Sequence, residues 1–285
     1  MPEVESLARW LDARTRGLRF EQVDVLAISA LKTFDPPVDA LRGQAVTGWS
    51  RRGKFLICSS APDLHLCIHL ARAGWLRWSE DVKSGPAKLT KGPQALRVRF
   101  EDGSGFTATE AGTEKRLSVH VVRDPDHVEH IRTLGIDPLT AEFSVDALAA
   151  ALAAAGRAQI KGVLTDQSII AGVGNAYSDE ALHVAKMSPF KPASSLTADE
   201  TRGLHDAVVA VLTEALDRSA GKPASELKDT KRSGMRVHAR TGQPCPACGE
   251  TVREVSFASK SLQYCPTCQT GGKPLADRRL SRLLK

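Results

Sequence analysis

Four cysteines near the end of this 285-residue chain constrain its folding more than any other feature. Cys245 and Cys248 form one C-x-x-C pair, Cys265 and Cys268 form a second, and 16 residues separate the pairs. This spacing is typical of a Zn²⁺ site in which two short turns each supply two thiolates. We therefore predict one structural zinc, because four thiolates leave no coordination position open for water. A redox-active C-x-x-C pair is the alternative.

A second constrained stretch runs from Gln159 to Leu182 and is typical of a helix, a glycine-bearing turn and a second helix. Gly172 and Gly174 lie in the turn, and Asn175 opens the second helix. Backbone N–H groups at a helix N-terminus form an anion site, and Lys161 with Asn175 on either side suits a single phosphate. An ordinary helical hairpin would show the same spacing.

The first 125 residues predict a helix followed by a β-sandwich. Val4–Arg14 has apolar residues at helical spacing, which favours an N-terminal helix. Short apolar or alternating runs follow, separated by glycine and proline, as in the strands of a two-sheet sandwich. The predicted strands are Val23–Ile28, Gln44–Trp49, Phe55–Cys58, His65–His69, Leu96–Phe100 and Leu117–Val121. Gly53 marks one hairpin turn and presents Lys54 beside it.

After residue 125 the pattern becomes helical. Ser144 can cap an alanine-rich helix at Val145–Ala155, and Thr197 with Glu200 forms a capping box for a long helix. The segment Lys222–Arg236 is polar and basic without periodicity, and we interpret it as a loop. We predict an α+β multidomain protein with a sandwich domain at 1–125, a helical domain at 126–236, a zinc hairpin at 237–270 and a basic tail at 271–285.

Charge and hydropathy restrict the classes of partner and the cellular location that we expect for this protein. Residues 222–285 hold 13 basic and 5 acidic side chains, a net of +8, whereas the preceding 221 residues hold 26 and 28, a net of −2. A basic end on a near-neutral body favours a polyanionic partner, and a solubilising tail is the alternative. No apolar run reaches the roughly 18 residues of a membrane span, and the N-terminus lacks an apolar signal segment. We expect a cytoplasmic protein that binds no membrane.

Together, the Gln159–Leu182 stretch and the paired cysteines resemble the marks of the Fpg/Nei family of DNA glycosylases, in the family's order and at about its spacing. The resemblance implies an N-terminal helix with a β-sandwich, a helix–two-turns–helix domain and a C-terminal β-hairpin zinc finger. It also implies a monomer, located in the cytoplasm at the nucleoid, that acts on double-stranded DNA containing damaged bases or abasic sites. Such an enzyme removes oxidised bases and cleaves the abasic site by β/δ-elimination through an N-terminal proline imine.

The resemblance assigns roles to individual residues. Removal of Met1 would expose Pro2 as the amine that attacks C1′, Glu3 would act as acid and base, and Lys54 matches the catalytic lysine on its hairpin. The DNA-binding residues that it implies, for phosphate contact and for filling the gap left by the extruded base, are Lys161, Asn175, Lys260, Arg72, Arg116 and Leu117. The metal ligands are the four paired cysteines.

The N-terminus departs from the family pattern. Members begin Met-Pro-Glu-Leu-Pro-Glu-Val-Glu, whereas this chain begins Met-Pro-Glu-Val-Glu, so three residues are absent, equivalent to about 10 Å of extended chain. Either the helix starts later to compensate, or Pro2-Glu3 corresponds to the family's second Pro-Glu pair and the nucleophile is missing. The second case predicts a catalytically silent protein that binds lesions or abasic DNA. A nucleic-acid-binding zinc protein without repair function is a further alternative.

Overall fold

A computed structural model describes residues 1–60, 63–85, 92–112, 114–256 and 261–276. The chain forms two compact units. The first, here the sandwich unit, comprises residues 2–133 together with 219–228. The second, here the helical unit, comprises Met1, residues 134–218 and the chain from Asp229 onward. Lys260 and residues 277–285 of the predicted basic tail lie outside the described residues.

The sandwich unit consists of one long helix and two four-stranded antiparallel sheets. Helix α1 is Pro2–Thr15. The strands are β1 Phe20–Val25, β2 Val46–Arg52, β3 Phe55–Ser60, β4 Leu64–His69, β5 Gly74–Ser79, β6 Gln94–Phe100, β7 Gly105–Glu110 and β8 Ser118–Val122. One sheet has the order β1-β6-β7-β5 and the other β2-β3-β4-β8. A short helix, α2, follows at Glu129–Arg132.

The core of this unit lies between the two sheets and α1, where the alternating apolar side chains of the strands meet. Leu56 and Leu66 from one sheet and Val98 and Phe106 from the other are fully buried there. Close strand packing also explains Gly105, because a Cβ at this position would lie 2.0 Å from the carbonyl oxygen of Val98. The predicted two-sheet sandwich is confirmed.

Three strand predictions need correction. The strand predicted at Val23–Ile28 is Phe20–Val25, and Ile28 begins a short 3₁₀ turn. Strands β5 and β7 were absent from the prediction. Both begin with glycine, which is depleted in strands, although their aromatic residues and threonines favour strand structure. Strand β7 pairs with β5 on one side and with β6 on the other, and this pairing stabilises β5 and β7.

Among its described residues, the helical unit contains five helices that lie wholly or almost wholly within it and a small hairpin. The helices are α3 Val145–Ala155, α4 Ile160–Thr165, α5 Asn175–Val184, α6 Ala198–Ser219 and α8 Pro266–Thr270, and the hairpin strands are β9 Arg253–Ser256 and β10 Ser261–Tyr264. The predicted caps are confirmed. The Ser144 hydroxyl accepts from the N–H of Ala147 at 3.1 Å, while Glu200 N–H donates to Thr197 Oγ1 at 3.2 Å and Thr197 N–H donates to Glu200 Oε2 at 2.9 Å. Among the described residues, no helix has the length and apolar character needed to cross a bilayer.

The prediction of a loop at Lys222–Arg236 is wrong, because this segment contains helix α7 at Leu227–Ser233. Ala224 and Leu227 are buried and pack in the core of the sandwich unit. The indole Nε1–H of Trp75 donates to the carbonyl oxygen of Ala224 at 2.9 Å. The helix is only seven residues long, so its few apolar positions are too sparse among the charged ones to produce a detectable period.

This packing generates a prediction for stability. Leu227→Ala should lower the free energy of unfolding of the sandwich unit by about 2–5 kcal/mol, because it opens a cavity in a core. All four tryptophans, Trp10, Trp49, Trp75 and Trp78, belong to this unit, so their fluorescence during urea titration reports it selectively. Glu226→Ala, at an exposed neighbouring position, is the control. Equal urea midpoints for the two variants would show that Leu227 is not part of the core.

Candidate functional site

Pro2 and Glu3 lie in the first turn of α1, and both are buried; Glu3 is 6% exposed. Proline suits the start of a helix because it lacks the N–H that the first turn leaves unused. Since α1 begins at Pro2, no extended residues separate the Pro2-Glu3 pair from the rest of the helix. The nitrogen that would become the amine on removal of Met1 therefore belongs to the helix itself.

The Lys54 hairpin is joined to the same helix by a partly buried ion pair between Arg51 and Glu5. Gly53, at φ 58°, forms the predicted turn between β2 and β3. Arg51, whose side chain is 4% exposed, donates from Nε to Glu5 Oε2 at 3.0 Å and from Nη1 to the carbonyl oxygen of Gly53 at 2.9 Å. Glu5 lies on α1, one turn from Pro2. The guanidinium thus fixes the turn that carries Lys54 relative to the first turn of α1. The sequence analysis assigned no role to this pair.

Two histidines accompany Lys54 on the outer face of the β2–β3–β4–β8 sheet. His69 and His120 lie against Phe55, with ring centroids 4.8 and 6.3 Å from its ring. The pKa of each is lowered to about 4, mainly by burial and, for His69, also by the nearby positive charge of Lys54. Both rings are therefore neutral near pH 7, and they offer hydrogen-bonding nitrogens without adding charge.

Arg72 and Arg116 are exposed on neighbouring loops of the sandwich unit. The loops touch where the N–H of Ala111 donates to the carbonyl oxygen of Ala73 at 3.4 Å. The second loop is held by the buried carboxylate of Glu110, which accepts from the N–H of Arg116 at 2.9 Å and of Leu117 at 3.1 Å. The structure therefore brings the two arginines to one edge of the sandwich.

Leu117 does not share the position of these arginines. Its side chain is 2% exposed and belongs to the core between the sheets, so it would have to leave the core to enter a DNA duplex. The interpretation of Leu117 as an apolar wedge is not supported by this placement. Its residue type fitted a wedge because an apolar side chain beside an exposed arginine looks the same in a sequence whether it points out or in.

In the helical unit, Lys161 and Asn175 lie together, as predicted, but their polar atoms are engaged by the protein. The Lys161 ammonium is 2.5 Å from Asp179 Oδ1 and 2.9 Å from Ser178 Oγ, and its side chain is 12% exposed. The side-chain amide of Asn175 donates to the carbonyl oxygen of Ser261 at 2.7 Å. These contacts organise the start of α5, while the backbone N–H groups of its first turn have no acceptors within the helix.

Two adjacent carboxylates on α5, Asp179 and Glu180, were missed by the sequence analysis. Glu180 is buried and accepts three backbone N–H groups, from Arg236 at 2.7 Å and from Val237 and His238 at 2.9 Å each. Asp179 Oδ2 lies 2.8 Å from His238 Nδ1. Both carboxylates thereby attach α5 to the segment that leads into the hairpin. The only signal in the sequence was a pair of adjacent acids within a helix that also carries a run of apolar residues.

The four paired cysteines converge, as the zinc prediction requires. Their sulfur atoms all lie within 4.8 Å of one another, with Cys245 and Cys268 4.0 Å apart and Cys248 and Cys265 3.4 Å apart. Four thiolates about 2.3 Å from a tetrahedral Zn²⁺ have sulfur atoms about 3.8 Å apart, so the cluster fits one ion. These residues form a structural zinc site, and the zinc prediction is confirmed.

Family comparisons match the same three modules. Residues 1–114 match the formamidopyrimidine-DNA glycosylase N-terminal domain, residues 134–226 its H2TH domain, and residues 242–271 the zinc finger found in FPG and IleRS. The architecture is that of a zinc-finger DNA glycosylase: a β-sandwich with a leading helix, then an H2TH domain, then a Cys₄ finger. The chain belongs to the formamidopyrimidine-DNA glycosylase family.

Individual proteins and solved structures of this family are similar to the chain over much of its length. The formamidopyrimidine-DNA glycosylase of Desulforamulus reducens is 32% identical over 279 residues, covering 94% of this chain and 98% of that protein. An uncharacterized formamidopyrimidine-DNA glycosylase-like protein of Mycobacterium tuberculosis is 62% identical over 154 residues, covering 54% of this chain and 96% of that protein. Among solved structures, MutM (Fpg) of Thermus thermophilus superposes with a TM-score of 0.79 at 28% identity, with 96% of this chain and 99% of that one covered. Lactococcus lactis Fpg in complex with DNA containing an abasic site gives a TM-score of 0.82 at 26% identity, with 95% and 99% covered.

The zinc site predicts a selective effect of Cys248→Ser. The variant should lose the ion and the order of the hairpin, because three thiolates hold zinc less tightly and the metal supplies folding free energy here. Tryptophan fluorescence of the sandwich unit should be unchanged. Elemental analysis should find one zinc per wild-type chain. Cys58→Ala, which removes a buried thiol in β3, should keep its zinc. Fresh wild-type protein without zinc would refute the assignment.

Proposed function

We propose that this protein is a bifunctional DNA glycosylase and AP lyase that acts on double-stranded DNA containing oxidised bases or abasic sites. The observation that carries the proposal is the partly buried Glu5–Arg51 pair, which holds the Lys54 turn against the helix that begins with Pro2 and Glu3. This links all three residues implied by the family resemblance in one unit. Lactococcus lactis Fpg, which shares the fold, has been crystallised with abasic-site DNA and with Fapy-dG DNA.

The chemistry follows from a secondary amine beside a carboxyl group. After removal of Met1, the lone pair of the Pro2 nitrogen attacks C1′, and the bond from C1′ to the base breaks with its electron pair going to the base. Glu3 supplies the proton that the leaving base or the opening ring oxygen requires. The Pro2 nitrogen then loses its proton, and the bond from C1′ to the ring oxygen O4′ breaks with its electron pair going to O4′, which leaves an iminium between Pro2 and C1′. This iminium accepts electrons as a proton leaves C2′, and the C3′–O bond then breaks with its electron pair going to the phosphate oxygen. Lys54 contacts the phosphate beside the lesion.

Arg72 and Arg116 would occupy the space left by the extruded base, since both are exposed at one edge of the sandwich. The first turn of α5, with Asn175, and Lys260 on the hairpin would bind backbone phosphates. The reaction requires one chain for each lesion, so we propose that the monomer is the acting species and that it works at the nucleoid, where its substrate is.

A second candidate function is a catalytically silent protein that binds abasic or damaged DNA. It is favoured by the start of α1 at Pro2 and by the burial of both Pro2 and Glu3. If Pro2-Glu3 takes the place of the family's second Pro-Glu pair, no amine reaches C1′. Binding through the helical unit and the zinc hairpin would remain.

Borohydride trapping on abasic DNA separates these functions, because only an amine that forms an imine leaves a covalent adduct. We expect an adduct and strand cleavage from wild-type protein whose N-terminus is shown by mass spectrometry to be Pro2. Glu3→Gln should reduce base excision by about 100-fold or more and should affect cleavage at a preformed abasic site less, since no base then needs protonation. Lys54→Ala should impair excision and spare much of the lyase step. Abasic DNA that is bound but neither trapped nor cleaved would establish the silent binder.

Salt dependence tests the phosphate surface. Lys161→Ala and Lys260→Ala should weaken DNA binding with little dependence on sequence, and each lost phosphate contact should reduce the salt slope by about 0.9. Because Lys161 is paired with Asp179, the double variant Lys161→Met/Asp179→Asn is the control that removes both charges. If it restores affinity and slope, Lys161 acts by holding α5; if it behaves as Lys161→Ala, the ammonium contacts a phosphate. Unchanged affinity for both single variants would refute the surface.

A further inference from the structure

A buried histidine of helix α5, His183, contacts the zinc cluster. His183, in the last turn of α5, is 4% exposed, and its Nε2 lies 3.2 Å from Cys245 Sγ. Its other ring nitrogen, Nδ1, is buried and has no hydrogen-bond partner among the described residues. A buried polar ring atom without a partner is unfavourable. The contact between Nε2 and the sulfur of Cys245 is therefore the polar interaction that stabilises the ring in this position.

The position of the proton follows from these surroundings. If Nδ1 carried it, a buried N–H would lack an acceptor and the lone pair of Nε2 would face the negatively charged thiolate. If both nitrogens were protonated, the N–H at Nδ1 would again lack an acceptor. With the proton on Nε2, the ring donates to the sulfur and only a weakly demanding lone pair is left without a partner. The arrangement thus selects a neutral ring that donates from Nε2.

Two of the other sulfurs in the cluster accept hydrogen bonds from nearby backbone groups. Cys248 accepts from the backbone of Glu250, and Cys265 accepts from the N–H of Cys268 at 3.5 Å. Cys245 differs, because its neighbour His183 lies outside the hairpin and 62 positions away in sequence. Within the part of the chain that the structure describes, no other cysteine of the cluster has a donor from outside the hairpin. Zn²⁺ with four thiolates carries two excess negative charges, and donors to sulfur stabilise such an anion and tune the metal.

We propose that His183 is a positioning residue for the zinc site: its Nε2–H donates to the zinc-bound thiolate of Cys245 and holds the ion on α5. This inference depends on the zinc site and not on the proposed DNA chemistry. Asn175, at the opposite end of α5, binds Ser261 of the same hairpin. The hairpin is therefore attached at both ends of one helix, and His183 supplies the attachment that acts directly on a metal ligand.

The wild-type protein allows a direct test. In protein in which an NMR-active cadmium isotope replaces zinc, a scalar coupling should connect the cadmium to the Nε2 proton of His183 through the sulfur. The nitrogen shifts of labelled histidine should show a neutral ring protonated at Nε2. A His183 ring protonated at Nδ1, or the lack of any coupling while the cysteine protons couple to cadmium, would overturn the proposal without the need for a variant.

Variants test the consequence for the metal. His183→Phe keeps a ring and removes the donor, and zinc transfer to a colorimetric chelator should become about 10–100-fold faster, the usual effect of losing a partner of a metal ligand. The thiolate-to-metal absorption band of the Co²⁺-substituted protein should also shift. His183→Gln, which returns an N–H donor, should restore both readouts most of the way.

The matched control is His205→Phe, which replaces a histidine of the same unit that stacks on Phe143 and bonds its carbonyl oxygen. This variant should keep the wild-type release rate and absorption band. If His183→Phe matches wild type in both, or if His183→Gln releases zinc as fast as His183→Phe, then the ring only fills space and the proposal is wrong. If His183→Phe does not fold, the cadmium coupling of the wild-type protein decides.

Discussion

The arrangement of the helical unit depends on two neighbouring carboxylates that are buried on one helix. A carboxylate removed from water is unfavourable unless donors replace the water it has lost. Glu180 is satisfied by three backbone N–H groups of residues 236–238, and Asp179 by Lys161 from α4 and by His238. Because these donors come from separate parts of the chain, the carboxylates are stable only when α4, α5 and the approach to the zinc hairpin are assembled together. The metal then holds the hairpin itself.

The sandwich unit uses the same principle on a smaller scale. Glu110 is buried at the end of β7 and is satisfied by the N–H groups of Arg116 and Leu117, so the loop that carries Arg116 has a fixed shape. The Glu5–Arg51 pair does the same for the Lys54 turn. In both cases a carboxylate orders a loop that carries a basic residue of the proposed site. A rigid loop loses less conformational entropy when it binds, which favours affinity for a ligand of matching shape.

The features that the sequence predicted well are those decided within a few residues. The cysteine spacing, the Ser144 cap, the Thr197–Glu200 capping box and the Gly53 turn each depend on local geometry, so their patterns are specific. The failures depend on partners that are distant in sequence. Helix α7 and strands β5 and β7 are stabilised by packing against distant residues, which their own sequences do not indicate. Lys161 has the residue type of a phosphate ligand, and only the folded chain shows Asp179 beside it. His183 has no recognisable pattern at all, because its partner sulfur is 62 residues away.

The discontinuity of the sandwich unit has a consequence for biosynthesis. Its core includes Ala224 and Leu227, which follow helix α6 in the chain. A ribosome that has released only the first 133 residues has therefore exposed both sheets but not the segment that completes their packing. The packing of the nascent sandwich therefore stays incomplete, with part of its apolar surface uncovered, until the helices that precede Ala224 in the chain have been synthesised. The order of translation makes the first part of the sandwich unit to emerge depend on a later segment of the same unit for its final stability.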